Sequence, residues 1–541
     1  MSYKGIRAPI YIGQDGWSAN KNQTQIKSSQ LIVANDITYE YGTVGKEGGA
    51  VRYTPNPIDN GATILGGTDW WPNTNLQRMV VMTSSGKLLR DTGSGQFLVT
   101  LKSGLNQPTY IPYFVTGGSE TQAANKKLFC FTGSNPVQVL SGDGTTTTNL
   151  ATPPSDWATR PPIAGDIYVQ RLWGASGHFV YFSNPANHED FTTVNVTGQL
   201  AVYPGIGDEI VAIKAFKGFL FVWKKPFGIF FINANDPNIQ NWSVTPVTAG
   251  LGAAGPGAVC AYDNDIVFLD VAGSVCQLAS TLQFVPGTNA VVPTTTFASS
   301  SISLVAYIDP FIRDNFDTSA LRLCQSGWHA HKREMTFCVT TIGSPVNNGR
   351  LTVDFNRPDI VRFRWSIRDI CTAMIMARDT DLTMHPFLGD DKGLIWKIDQ
   401  PTRSKDGQGY ISIFQTGHEE FSNLFGGFPS QEKFASSRKL FQFLEVVANP
   451  VGNWNLSIDV YIDSKYTQTV QFNMGVSGAA LDSFILDTSR LAGNAVQSKR
   501  RRIKGSGRRI SLAGHTSGPG EDFSIEKIYV EFQPGAERDP S

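Results

Sequence analysis

Apolar and polar positions alternate in a short unit that recurs through most of the chain. Each unit is an apolar strand, a polar turn centred on a glycine and a second strand of alternating character, which is the pattern of a β-hairpin. In two examples, residues 219–223 precede Gly228 and residues 266–269 precede Gly273. The pattern therefore predicts a chain built from β-hairpins.

The turn glycines of these units set a period along the sequence. They are Gly86, Gly133, Gly177, Gly228, Gly273, Gly349 and Gly393. Neighbouring members lie 44 to 51 residues apart, except Gly273 and Gly349, which are 76 residues apart. A period of about 40 to 50 residues is typical of β-propeller blades, of which each hairpin would form half. A parallel β-solenoid is the competing repeat architecture, but its rungs are shorter.

The period predicts an irregular six- or seven-bladed β-propeller over residues 61–435. The longer interval is assigned to an insertion near residues 290–326, where Thr and Ser are frequent. After residues 426–430 the strands alternate more strictly between apolar and polar positions, as in a β-sandwich. The fold class expected is all-β: a propeller with a C-terminal β-sandwich at residues 436–541, and N-terminal strands at residues 1–60 that pack on or close the propeller.

Composition and charge limit the classes of partner. The chain has 541 residues, more than one hydrophobic core usually serves, and only 17% of them are charged. Lys plus Arg equals Asp plus Glu at 46 each, so no overall field attracts nucleic acid or an anionic membrane. Any DNA contact is therefore expected to be local or weak.

The cellular location is inferred from what the sequence lacks. The first residues contain no apolar segment of signal-peptide length, and Lys224 and Lys225 interrupt the strongest apolar stretch, residues 218–233. We therefore expect synthesis in the cytoplasm and no membrane anchor. The six cysteines form no C-x-x-C pair, and Cys130, Cys276 and Cys338 lie in apolar runs, so buried free thiols are predicted.

Two glycine-rich stretches imitate nucleotide-binding motifs. Residues 250–255 satisfy G-x-G-x-x-G, but Pro256 and the strand-like residues 258–262 follow where a dinucleotide site needs a helix. Residues 42–47 hint at a phosphate loop, yet the glycine spacing is short and Glu47 replaces the metal-binding Ser or Thr. The first is not expected to bind a nucleotide, and the second is predicted to be a turn.

Candidate catalytic and metal residues are few. His329 and His331 would project from one face of a strand and in principle share a metal with Cys324, but surface or interface histidines are the favoured interpretation. The sequence has no G-x-S-x-G elbow. We therefore predict no enzyme activity, no catalytic residues, no metal and no cofactor. The alternative is a carbohydrate-binding or glycoside-hydrolase propeller, whose acid and base would come from distant blades and leave no local spacing to test.

A basic cluster is the candidate contact site for a partner or for DNA. Residues 499–509 carry seven positive charges in eleven residues and are expected to form the tip of a hairpin. The charged residues are Lys499, Arg500, Arg501, Arg502, Lys504, Arg508 and Arg509. Such charges release counterions from phosphates, but no aromatic residue lies among them to stack on bases. An acidic surface on a protein partner is therefore favoured over DNA.

Four stretches give the sequence a family resemblance. They are residues 31–42 with 46–49, residues 180–187, residues 205–273 and residues 528–534. In this order they resemble the tail hub, or nozzle, proteins of short-tailed bacteriophages, and residues 205–273 are the most specific of them. The resemblance also accounts for the glycines of residues 250–255 as a link between blades.

The resemblance implies a structural virion protein in the phage tail. It implies a homo-oligomer, a ring of six copies at the distal end of the tail that continues the DNA ejection channel and docks other tail proteins. Expected partners are tail adaptor, fibre or tailspike proteins, with transient, non-specific contact to genomic DNA. A cyclic ring of this kind repeats one heterologous contact around its axis.

Overall fold

The structure is a computed structural model that describes the greater part of the chain. The described residues are 5–20, 26–93, 95–118, 126–205, 209–263, 265–278, 282–284, 291–293, 299–357, 359–379, 383–424, 436–475 and 496–535. Within them most ordered segments are β-strands, so the predicted all-β class is confirmed. None of the helices described is long and apolar enough to cross a membrane.

Short helices connect the strands. The α-helices of the described residues are α1, Ile302–Val305, and α2, Asp309–Asn315. The 3-10 helices are Glu40–Gly42, Ile58–Gly61, Ser155–Ala158, Ile239–Asn241, Pro256–Ala258, Leu321–Leu323 and Ser422–Leu424.

Seven sets of four antiparallel strands, numbered sheets 1 to 7, follow one another along the chain. Sheet 1 is Ile64–Asn73, Leu76–Thr83, Leu88–Arg90 and Val99–Lys102; sheet 2 is Tyr113–Gly118, Lys126–Phe131, Gln138–Ser141 and Thr148–Asn149. Sheet 3 is Ala164–Tyr168, Arg171–Ser176, Phe179–Phe182 and Gly198–Ala201; sheet 4 is Ile210–Phe216, Phe219–Lys224, Ile229–Asn233 and Ser243–Thr248. Sheet 5 is Val259–Tyr262, Asp265–Leu269, Val275–Leu278 and Ser299–Ser301; sheet 6 is Gln325–His329, Glu334–Val339, Gly349–Asp354 and Arg362–Ser366. Sheet 7 is Ala373–Arg378, Met384–Gly389, Ile395–Gln400 and, from near the N-terminus, Gly49–Arg52.

The hairpins predicted from the sequence are the second and third strands of these sheets. Gly86 and Gly273 turn the chain with φ of 75° and 88°, a conformation that glycine adopts without a Cβ clash. A Cβ at Gly86 would also overlap the carbonyl oxygen of Leu105. Gly349 is different, because it begins the third strand of sheet 6 rather than forming the turn.

The sheets are arranged in a cyclic order of contacts. The first strand of each sheet contacts the first strand of the next, and the first strand of sheet 7 contacts that of sheet 1. The outermost strand of sheet 7, Gly49–Arg52, pairs antiparallel with Ile395–Gln400, so Val51 lies opposite Lys397. The last sheet of the series is thus completed by a strand that precedes the first sheet in sequence.

Two larger sheets, sheets 8 and 9, combine strands from both ends of the chain. Sheet 8 is Leu31–Asn35, Ser412–Thr416, Ile510–Thr516, Asn455–Ile462 and Lys465–Asn473, and it continues sheet 6 through a parallel contact of Asn35 with Trp365. Sheet 9 is Ile37–Thr38, Val44–Lys46, Ser524–Pro534, Lys439–Ala448 and Gln497–Gly507, with Ile6–Ile10 paired to Ser524–Pro534. Buried residues alternate along Asn455–Ile462, which leaves one face apolar. One apolar core joins both sheets to sheets 5 and 6.

The N-terminal segment and the expected insertion are each divided among several parts of the fold. Among the described residues up to 60, only Gly49–Arg52 belongs to sheet 7, and the strands before it belong to sheets 8 and 9. Within residues 290–326, Ser299–Ser301 is the fourth strand of sheet 5 rather than inserted chain. The remainder includes Val291–Pro293, which pairs with Leu282–Phe284, together with both α-helices.

Candidate functional site

The basic cluster lies on an edge strand rather than at a hairpin tip. Gln497–Gly507 is the outer strand of sheet 9 and pairs with Lys439–Ala448. Arg508 and Arg509 then turn the chain into Ile510–Thr516 of sheet 8. The expected hairpin tip is therefore wrong, because the charges extend along a strand that alternates between the core and solvent, with Ile503 buried among them.

Arg500 is compensated within its own sheet. Its guanidinium forms an ion pair with Glu531 and lies 3.9 Å from the centre of the Phe443 ring. A second pair joins Arg7 to Glu445 at 2.9 Å across the strand Ser524–Pro534, with which the strands of both residues pair. Arg500 therefore contributes contacts within its own sheet and is not simply a free charge for a partner.

Lys499 and Arg501 face the edge of sheet 8. The Lys499 ammonium donates hydrogen bonds to the carbonyl oxygens of Asn473 and Gly475, and Arg501 Nε donates to that of Gln471 at 3.4 Å. Burial, together with the nearby charge of Arg501, lowers the pKa of Lys499 below its ordinary value. These two cations therefore tie the edges of sheets 8 and 9 together.

Four basic residues remain directed to solvent or the turn. The backbone N–H groups of Arg508 and Arg509 donate to Asp463 at 2.9 and 3.2 Å, and the Arg509 guanidinium donates to Ser464 Oγ at 3.2 Å. Arg502 and Lys504 are exposed, and neither makes an ion pair with any carboxylate in the described part of the chain. Arg502 and Lys504 are therefore the members of the basic cluster most available to a partner.

A second concentration of charge is buried where the N-terminal segment meets sheets 6 and 7. We call it the buried charge cluster. Its members are Asp36, Glu47, Lys332, Glu334, Arg350, Asp354, Arg362, Arg364, Arg368, Asp369 and Asp399. The alternation of Arg362 and Arg364 along one strand of sheet 6 places both guanidinium groups on the same side. Arg362 pairs with Asp354 at 2.6 Å.

Glu47 lies at the centre of the buried charge cluster. Its carboxylate is 3.2 Å from Arg350, 3.4 Å from Arg368 and 3.5 Å from Arg364. Burial alone would raise the pKa of Glu47, but the three guanidinium groups outweigh it and hold the pKa below its ordinary value. Glu47 is therefore ionised and connects the N-terminal segment to sheet 6.

In the same cluster the pKa of Asp36 is raised, whereas that of Glu47 is lowered. Burial raises the pKa of Asp36 to about 7, although Arg368 lies 3.4 Å away and Ser366 Oγ donates to it at 2.6 Å. The negative charge of Glu47 acts in the same direction as burial. The sequence does not reveal this cluster, because its members are dispersed from Asp36 to Asp399 and share no local spacing. Residues 42–47, predicted to be a turn, instead contain the strand Val44–Lys46 and the buried Glu47.

His329 and His331, the histidines considered as metal ligands, lie in different environments. His329 is the last residue of the first strand of sheet 6 and is only 5% exposed, whereas His331 is exposed in the turn that follows. Cys324 is buried with its Sγ 3.9 Å from the carbonyl oxygen of Gln325. The interpretation of His329 as a surface or interface residue is wrong.

All six cysteines are free and all but Cys260 are buried, which confirms the prediction for Cys130, Cys276 and Cys338.

Residues 250–255 act as a close-packed link and not as a phosphate loop. They join sheet 4 to the three-residue 3-10 helix Pro256–Ala258 and the first strand of sheet 5. A Cβ at Gly252 would overlap the carbonyl oxygen of Lys224 and lie 2.7 Å from that of Pro226. The glycine is therefore required by a backbone approach within the protein, as a link between sheets requires.

Two cavities are relevant to binding. A cleft of about 640 Å³ borders the buried charge cluster and is lined by Tyr39, Glu40, Lys332, Glu334 and Arg357 among others. Both of its glutamates are engaged, Glu40 with Lys332 at 2.8 Å and Glu334 with Arg364 at 2.7 Å. A second cavity of about 250 Å³ is bordered by the first strands of sheets 1, 2, 4, 5, 6 and 7. This central space is far too small for a nucleic-acid duplex.

Comparisons with known proteins give only distant structural similarity. No protein-family model and no curated protein matches the sequence. The computationally designed protein Ika8 is 10% identical, with a TM-score of 0.36, over 69% of this chain and 99% of its own. BBS1N, in its complex with ARL6DN, is 12% identical, with a TM-score of 0.39, over 65% of this chain and 97% of its own. At these TM-scores neither similarity supports an inference about fold or function.

Proposed function

We propose that this chain is a seven-bladed β-propeller joined to a β-sandwich, and that it is a structural protein of a short-tailed phage virion. In this proposal sheets 1 to 7 are the blades and sheets 8 and 9 are the sandwich. The cyclic contacts of the first strands support seven blades, and the strand Gly49–Arg52 would close the ring of blades. Copies of the chain would form the hub or nozzle ring at the distal tail, continue the DNA ejection channel and dock other tail proteins.

The observation that carries the proposal is the position of residues 205–273, the most specific part of the family resemblance. Their described residues contain all of sheet 4, the close-packed link at Gly252 and the first two strands of sheet 5. The resemblance therefore covers a complete structural unit and its junction to the next. The first stretch of the resemblance likewise contains Asp36 and Glu47, both of which belong to the buried charge cluster.

The small central cavity bears on where DNA would pass in this proposal. Because a duplex does not fit among the first strands of sheets 1 to 7, the channel would lie between copies of the chain and not through any one of them. Each copy would then act as a rigid wedge in a cyclic ring. The balanced overall charge suits a channel wall that contacts DNA weakly.

The carbohydrate-active alternative receives less support. A glycosidase needs one carboxylic acid and one carboxylate free to meet the glycosidic bond. In the larger cleft, Glu40 and Glu334 are both held in ion pairs by Lys332 and Arg364. Both side chains are therefore already in contact with a neighbouring cation.

The test is the oligomeric state of the purified full-length chain, alone and mixed with tail adaptor and fibre proteins. Light scattering should give a mass of several chains, and electron micrographs should show rings with an axial hole. A chain that stays monomeric with all tail partners would refute the proposal. Hydrolysis of glycans by the wild-type chain, or tight binding to a glycan array, would favour the carbohydrate-active alternative.

A further inference from the structure

His329 is a buried imidazole whose Nδ1 lies 3.4 Å from Asp399 Oδ2, without the geometry of a hydrogen bond. It is 5% exposed, and neither Nδ1 nor Nε2 has a hydrogen-bond partner in the described part of the chain. Buried polar groups are almost always satisfied, since leaving one unpaired costs about 1–3 kcal/mol. Nε2 in particular has no partner among the described protein atoms, which makes the side chain a candidate ligand.

Two carboxylates converge on this histidine. Glu334 is its direct partner across the hairpin of sheet 6, and Asp399 approaches from the third strand of sheet 7. One potential ligand atom from each residue lies within 4.8 Å of the other two. Asp399 Oδ1 makes no hydrogen bond of good geometry among the described residues, although Lys332 Nζ lies 3.4 Å away as an ion-pair partner. The three side chains thus form a nitrogen and oxygen donor set that connects two sheets.

The separation of His329 from Asp399 fits two ligands of one metal ion. His329 Nδ1 and Asp399 Oδ2 are 3.4 Å apart. This is longer than an ordinary N–H···O hydrogen bond, which spans about 2.7–3.2 Å. Two ligands about 2.1 Å from a tetrahedral centre lie roughly 3.4 Å apart. The distance is therefore the one expected between neighbouring ligands.

The backbone around Asp399 directs its side chain to this position. Asp399 has φ of 62°, in the left-handed region, and lies at the register shift between Lys397 and Gln400 where Gly49–Arg52 pairs with sheet 7. Irregularities of this kind re-aim a side chain and are frequent at functional sites. The N-terminal strand thereby helps to present the carboxylate.

We propose that His329, Glu334 and Asp399 bind a divalent transition-metal ion, with Zn²⁺ as the ion that best suits this donor set. Arg364 holds Glu334 at 2.7 Å and Lys332 lies 3.4 Å from Asp399, so both carboxylates are oriented by neighbours. Glu334 also lines the larger cleft, which would give the ion a route to the site. The bound ion connects sheets 6 and 7.

The experiment uses the full-length chain after dialysis against a chelator, titrated with Zn²⁺ in a calorimeter and with Co²⁺ followed by visible absorption. One ion per chain is expected, with a rise in melting temperature. His329→Gln and Asp399→Asn should each weaken Zn²⁺ binding by more than about 10-fold, since even residues behind the ligands cost about 10–100-fold. His331→Gln is the matched control and should bind as the wild type does.

Several results decide against the site. A folded wild-type chain that takes up less than one Zn²⁺ per chain overturns it, as does equal binding by the wild type and Asp399→Asn. Equal loss in His331→Gln would place the ion elsewhere and also overturn the assignment. Circular dichroism establishes that each variant is folded, and the isosteric Asp399→Asn decides the matter if His329→Gln does not fold. Ring formation is not measured, so the result is independent of the tail function proposed above.

Discussion

Arg350 donates a hydrogen bond to Glu47 at 3.2 Å, although the two residues are 303 positions apart in sequence. Both side chains are almost completely buried. Removing one partner of a buried ion pair leaves an uncompensated charge, which is far more costly than losing an exposed pair. This contact therefore makes the N-terminal segment part of the stability of sheet 6.

Glu47→Gln should lower the free energy of unfolding by about 3–5 kcal/mol, because Arg350, Arg364 and Arg368 lose their shared anion. Chemical denaturation followed by fluorescence measures the change. The control is Asp406→Asn, which breaks an exposed pair with Arg52 and should cost no more than about 1 kcal/mol. Equal effects of the two substitutions would show that the buried charge cluster is not cooperative.

Gly252→Ala should destabilise the chain by about 1–3 kcal/mol, because the added methyl group meets the carbonyl oxygens of Lys224 and Pro226. Gly250→Ala is the matched control, since the nearest atom to its Cβ is Thr248 Oγ1 at 4.0 Å. Melting temperatures of the two variants measure the difference. If Gly250→Ala is as harmful as Gly252→Ala, the close approach is not the reason for the glycine.

Asp265 should make stability fall as the pH rises. Burial raises its pKa from 3.8 to about 6, although Gln277 donates to it at 2.9 Å. The folded state then binds more protons than the unfolded state between about pH 4 and pH 6, so this contribution is present below pH 4 and lost by about pH 6. Two pKa units correspond to at most about 3 kcal/mol.

Asp265→Asn removes this titration, so its stability relative to the wild type should improve on going from pH 4 to pH 7. Thermal unfolding across that range gives the difference at each pH. The slope is informative even if the substitution lowers stability at every pH through the lost acceptor oxygen. Parallel pH profiles for the two chains would contradict the assignment.

Within the basic cluster, we expect Arg500 to contribute to stability and Arg502 and Lys504 to contribute little. Arg500→Glu should lower the melting temperature, because it places a carboxylate beside Glu531 and removes the contact with Phe443. The double substitution of Arg502 and Lys504 by Glu should change stability by only about 0.5 kcal/mol, since both side chains are exposed. Thermal unfolding of the isolated chain separates the two effects.

The same double variant identifies the partner. If Arg502 and Lys504 face an acidic protein surface, assembly with tail proteins should weaken while DNA binding is unchanged. If they contact DNA phosphates, assembly should be normal and the salt dependence of DNA binding should become shallower by about 2 in logarithmic slope. Normal behaviour in both assays would make the exposed residues a solvated edge only.

In sheets 1 to 7 the sequence predicted the second and third strands well and the fourth strands poorly. The second and third strands, such as Phe219–Lys224 and Ile229–Asn233, are strongly apolar because both faces are covered. Fourth strands such as Thr148–Asn149 and Gly198–Ala201 are short and largely exposed, so they carry little apolar signal. Their pairing had to be seen in three dimensions.

Neither the pairing of strands distant in sequence nor the clustering of dispersed charges could be predicted, because both depend on contacts between remote residues. Gly49–Arg52 belongs to sheet 7, but its partner lies in Ile395–Gln400 and nothing local identifies it. The buried charge cluster likewise gathers single residues from distant strands. The basic cluster was visible because its charges are contiguous, yet only the structure shows that Arg500 is already paired.

The origin of the outermost strand of sheet 7 has a consequence for how the chain is made. Gly49–Arg52 leaves the ribosome early, whereas its partner follows about 350 residues later, on the order of 20 to 70 seconds at about 5–20 residues per second. Until then Gly49–Arg52 has no partner strand, so its backbone N–H and C=O groups remain unpaired. Such distant pairing folds slowly and favours association between neighbouring nascent chains. The yield of soluble protein should therefore depend on translation rate and chaperone supply.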